Sequence, residues 1–178
     1  MTFEVEFHEE HAALWHVRYS LNNFPERDKI PFAFLAQGSA CILCCASALE
    51  AIVNKIFQHS NSMSSWDELR IVSKITTLHE LKGQKIDWGK EPWQDITKLI
   101  RLRNWLAHNK ETYIGLSNSD GQLIGEKPKI DPEIDLDKYS VEKIYNSVRK
   151  GGLILSQIWN LESDFKFLED EKYEPLIA

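Results

Sequence analysis

Apolar residues recur every three or four positions along most of the chain, and that spacing predicts helices rather than strands. It is densest over residues 31–59, where few charges interrupt it, and predicts a long helix at the centre of a bundle. Trp93, Ile96, Leu99, Ile100 and Ala107 form a second stripe, which predicts a helix over residues 91–109 with Pro92 at a tolerated first position. Residues 9–22 carry Leu14, Trp15, Val17 and Leu21 and stop at Asn22-Asn23-Phe24-Pro25, because proline disfavours helix at the residue before it. Residues 65–81 form the next helix, opened by the capping-box pair Ser65 and Glu68 and stopped by Gly83. The last helix takes Ser140 as its N-cap and turns Val141, Ile144, Val148, Leu155, Ile158 and Trp159 inward. Gly151 and Gly152 inside it cost helix stability and imply close backbone packing or a kink.

Two stretches break the helical period. Residues 2–7 alternate, as a short edge strand or extended arm would, and Asn118-Ser119-Asp120-Gly121 between apolar residues reads as the turn of a small β-hairpin. An acidic, proline-containing linker follows to Tyr139. The expected fold is therefore all-α: an up-down four-helix bundle with an N-terminal helical extension and a small β-hairpin insertion after the third bundle helix. The corresponding units are an extension over 1–30, a bundle over 31–166 with an insertion at about 112–139, and a tail over 167–178.

Composition narrows the function classes. At 178 residues and 43% hydrophobic content the chain suits one domain with a substantial core. Its net charge of −6 argues against a protein that coats nucleic acid, since such binding needs a basic surface. The N-terminus lacks a secretory pattern, and no apolar stretch is expected to reach bilayer-spanning length, so a cytoplasmic protein with no membrane partner is expected. Cys41, Cys44 and Cys45 sit in an apolar run with no second cysteine or histidine pair at zinc spacing, and read as small buried thiols. His8-Glu9-Glu10-His11 lacks the i, i+4 histidines of a zinc helix, so neither metal nor cofactor is expected.

The chemistry concentrates in Arg103-Asn104-Trp105-Leu106-Ala107-His108. Arginine grips phosphate bidentately, and histidine transfers protons near neutrality. Arg103 stands at i+3 from Ile100 and i+4 from Leu99, on the apolar stripe, and must snorkel, pair with an acid or face a cavity. Asn104 and His108 are i, i+4 and share a face. Arg103 and His108 differ by about 140° around the helix, so they converge through the length of arginine, fraying of the last turn, or a dimer axis. Lys98, Arg101 and Lys110 add cations around them, either as a phosphate-binding groove or as a solvated face complementing the helix dipole.

The Arg103-x4-His108 spacing, with Asn104 directly after the arginine, resembles the HEPN superfamily. Its motif is an arginine and a histidine separated by four to six residues near the end of the third helix of an all-α bundle. Ala46-Ser47-Ala48-Leu49-Glu50-Ala51-Ile52 resembles the acidic first bundle helix of many members, and the likeness spans about residues 31–161. The resemblance implies a metal-independent endoribonuclease of toxin or phage-defence type, in which two protomers bring their motifs together. Arg103, Asn104 and His108 would then be catalytic, with Glu50 and Ser47 supporting and Lys98, Arg101 and Lys110 binding RNA phosphates. Its implied partners are a second copy of the chain, RNA or nucleotide, and a cognate antitoxin or regulator protein. Lys110 stands where the toxin branch with a tyrosine two residues after the histidine places that tyrosine. The alternative is a non-catalytic helical module that binds nucleotide, RNA or a partner protein through the same residues, or uses them only to hold the bundle.

Overall fold

A computed structural model describes residues 9–26, 28–59, 69–107, 116–117, 123–124 and 132–169, and these are overwhelmingly helical. The helices are α1 (Glu9–Asn22), α2 (Pro31–Gln58), α3 (Ile71–Glu80), α4 (Trp93–Ala107), the single turn α5 (Pro132–Asp135) and α6 (Lys138–Trp159), followed by a 3-10 segment, Glu162–Leu168. The expected strand at residues 2–7, the capping pair Ser65 and Glu68, and the turn Asn118–Gly121 lie outside the described residues. Of the insertion, Leu116 pairs with Ile124 and Ser117 with Leu123, antiparallel.

α2 is the centre. Cys41, Ile42, Cys45, Ala48, Leu49, Ile52, Val53, Ile56 and Phe57 are buried along it, and α1, α3, α4 and α6 all pack against it. Its outer face carries Phe32, Ala36, Leu43, Ser47 and Glu50. The expectation that no apolar stretch reaches membrane-spanning length is corrected here, because Phe32–Gln58 is long and apolar enough by length and composition alone. The reason is that α2 has apolar residues on its outer as well as its inner face. α1 belongs to the same core, burying Leu14, Val17 and Leu21 beside α2 and α6.

Two helix boundaries shift from expectation. α3 starts at Ile71 after Arg70, which has an extended backbone, so Leu69 and Arg70 precede the helix. α6 starts three residues early: Asp137 is the N-cap, its carboxylate accepting from the Ser140 backbone N–H at 2.6 Å. The Ser140 hydroxyl instead donates to the Ile134 carbonyl at 2.9 Å, tying α6 to α5. Aspartate outcompetes the serine three residues on because its charge also complements the helix N-terminus. Gly83, at φ 68°, ends α3 as expected, with the Gln84 N–H reaching back to the His79 carbonyl at 3.0 Å.

The glycine pair in α6 marks close packing. A Cβ at Gly151 would stand 2.7 Å from Ile96 Cδ1 on α4, and one at Gly152 would stand 2.8 Å from Leu168 Cδ1 of the 3-10 segment. Polar contacts fasten the same α4–α6 seam. Asp95, 6% exposed, accepts from the Ser147 hydroxyl at 2.8 Å and pairs with Lys143 at 3.3 Å, and Lys143 also reaches Glu91 at 3.0 Å.

Gly38 has the least room. A Cβ there would overlap the Leu136 carbonyl oxygen, a backbone atom that cannot rotate away. Gly38→Ala is expected to destabilise the protein by about 1–3 kcal/mol despite alanine's better helix propensity. Gly151→Ala meets only a side-chain methyl that can rotate and should cost clearly less. Urea unfolding of both variants checks the order, and equal losses would contradict it.

Candidate functional site around the last turns of helix α4

α4 forms because its apolar positions face α2 and α6: Trp93, Ile96, Leu99 and Leu102 are buried. Arg103 follows the same stripe yet is exposed, as are Asn104 and Ala107. Beyond Leu102 burial on α4 is partial, with Trp105 and Leu106 half-buried against the core. Of the three options open to Arg103, the side chain takes solvent, with Nη1 donating to Asn104 Oδ1 at 3.2 Å. That bond leaves the Asn104 amide nitrogen as an available donor.

The remaining residues picked from the sequence divide. Arg101 is exposed on the same helix. Lys98 is tied by a 2.8 Å ion pair to Asp135 of α5, which favours the solvated-face reading for this lysine over a phosphate-gripping one. Ser47 and Glu50 lie on the outer face of α2, and among the described residues neither bonds to Arg103. Arg103 thus has no carboxylate partner among the described residues, and its one described hydrogen bond, to its neighbour Asn104, leaves most of its donors unused. His108 and Lys110 lie outside the described residues.

Other candidates resolve into packing. Among the described residues, no group of three or more His, Cys, Asp or Glu could hold a metal ion. Glu10 turns inward to Lys55 at 3.3 Å, while His11 stacks on Phe167 with ring centres 5.0 Å apart. The thiols are free. Burial pushes Cys41 up to about 11 and Cys45 well above the ordinary thiol value, and also raises Cys44. Thiols held protonated are poor nucleophiles and metal ligands, in keeping with their reading as small core side chains.

Sequence reasoning passed over two clusters. One is the seam of Asp95, Ser147, Lys143 and Glu91 described above, where the two carboxylates hold the Lys143 ammonium above its ordinary pKa. The other is a cleft between α1, α6 and the 3-10 segment, lined by His11, Trp15, Arg18, Tyr145, Arg149 and Phe167. Its only local signal was the run 11, 15, 18, which puts three side chains on one stripe of α1. No protein family, curated protein or solved structure matches the chain.

His79 yields a pH prediction. It is 4% exposed, edge-on to Trp93 at 5.1 Å, and burial lowers its pKa below the ordinary 6.5, an effect the Gln84 side chain partly opposes. In the acid range the unfolded chain binds this proton more readily than the folded one, so stability falls as pH drops below about 6.5 and is fully present above it. His79→Phe is expected to flatten that part of the profile. Urea midpoints between about pH 7.5 and pH 5 check it. An unchanged slope in the variant would assign the acid sensitivity to other groups.

Proposed function

We propose that the chain is a metal-independent endoribonuclease of HEPN type, acting at the C-terminal end of α4. The observation that carries this reading is the state of Arg103: exposed on a core-facing stripe, bonded to Asn104 Oδ1, and paired with no carboxylate among the described residues. An arginine serving only the bundle would be expected to pair with an acid or pack its stem beneath neighbours. Here the guanidinium keeps donors for an anionic ligand.

The chemistry follows from the residue types. Cleavage by 2′-hydroxyl attack needs a base for the hydroxyl proton, a cation at the phosphorane and an acid for the departing 5′-oxygen. His108 supplies one of the proton transfers, Arg103 stabilises the phosphorane charge, and the Asn104 amide nitrogen donates to a phosphate oxygen or orients the imidazole. Arg101 and Lys110 add to the local potential, whereas Lys98 contributes less because Asp135 neutralises it. DNA lacks the attacking hydroxyl and is not a substrate for this route.

In this reading the helices form a HEPN-like up-down four-helix bundle with the hairpin inserted after α4, and a homodimer joins two copies of the motif. The reading extends to a cytoplasmic toxin or defence effector, controlled by an antitoxin or regulator protein. A second reading, phosphate binding without cleavage, rests on the same exposed Arg103–Asn104 pair.

Purified protein incubated with total RNA in EDTA is expected to leave 2′,3′-cyclic phosphate ends. Arg103→Ala and His108→Ala should each lower the rate by roughly a hundredfold or more while retaining helical circular dichroism, as loss of a proton-transfer or charge-stabilising group implies. Binding that needs Arg103, with no cleavage by folded wild type, would replace the ribonuclease reading with the binding one.

A further inference from the structure

The cleft between α1, α6 and the 3-10 segment gathers cationic side chains. Among the described residues its lining contains two arginines and a histidine but no carboxylate. In a chain of net charge −6, that local balance sets the cleft apart. Glu10, the nearest acid in sequence to this stripe of α1, pairs with Lys55 on α2.

The two guanidinium groups differ in state. Arg149 is fixed in place, with Nε and Nη2 both donating to the Leu168 carbonyl at 3.0 and 2.7 Å and the group lying 5.6 Å from the Tyr145 ring centre. Its Nη1 has no hydrogen-bond partner among the described residues. Arg18 is partly buried and makes no side-chain hydrogen bond or ion pair among the described residues. Its guanidinium donors are therefore open to an acceptor from solution. A pre-oriented arginine beside one with unused donors, on a floor of Trp15 and Phe167, is a suitable receptor for a compact oxyanion, because little order remains to be imposed on binding.

We propose that the cleft between α1, α6 and the 3-10 segment binds a phosphate dianion, with Arg18 and Arg149 as its ligands and His11 at its rim. The phosphate belongs either to the free ion or to a small phosphomonoester. This site is separate from the α4 motif and does not depend on the ribonuclease reading.

Isothermal titration calorimetry of the full chain with inorganic phosphate, and in a second arm with 5′-AMP, tests the proposal. Saturable one-to-one binding of phosphate is expected, weakened roughly tenfold or more in Arg18→Gln, as befits loss of a charge-assisted contact. Lys90→Gln, an exposed residue whose side chain does not line the cleft, should leave it unchanged. Tighter binding of AMP identifies a phosphomonoester, and equal binding identifies the phosphate group alone. Arg18→Gln alters a partly exposed side chain with no described partner, and an unchanged urea midpoint verifies its fold. No saturable heat with wild type in either arm, or undiminished binding in Arg18→Gln, would overturn the proposal.

Discussion

Everything in this protein is arranged around covering α2. Its inner face buries Ile42, Leu49, Ile52, Val53 and Ile56 almost completely. At the usual transfer values, those five side chains represent on the order of 10 kcal/mol, about the net stability of a whole domain. No single neighbour can shield a helix of 28 residues, so α1, α4 and α6 are all required against it. The α4–α6 glycines follow from the same demand, since two helices that both lie on α2 must also approach each other. Asp95, Ser147 and Lys143 then satisfy the polar groups caught in that approach.

The exposed motif acquires its meaning from this frame. Past Leu102, the last fully buried residue of α4, Trp105 and Leu106 still pack partly against the core, while Arg103 beside them meets solvent. A functional group is thus held on a rigid helix at the edge of the packed region. The cleft shares this logic, because its two arginines also stand on core helices, Arg18 on α1 and Arg149 on α6.

Much of the helical layout was legible because helical spacing with clear stops is a local signal. Residues 9–22 and the long helix from 31 show this, as does Gly83, whose positive φ needs no tertiary context. Boundaries set by competing caps were less legible: Asp137 and Ser140 are both good N-caps, and only the position of the Ile134 carbonyl decides where the hydroxyl goes. The small α5 turn and the crossing at Gly38 depend on contacts a hundred residues apart, beyond the reach of periodicity. For the candidate site, the residue types on α4 were readable, but the partners were not. Arg103 bonds to its own neighbour Asn104, and the acid that engages Lys98 of α4 is Asp135 of α5, which no local spacing relates to it.

That Lys98–Asp135 pair, with Leu136 resting on Gly38, anchors the returning chain to α4 and α2 at once. One charged contact and one backbone contact, made to two different helices, thus fix where the chain enters α6. A position held from two sides tolerates the loss of one hold: breaking the ion pair leaves the fit at Gly38 in place, whereas filling the space at Gly38 pushes Leu136 away and strains the ion pair as well.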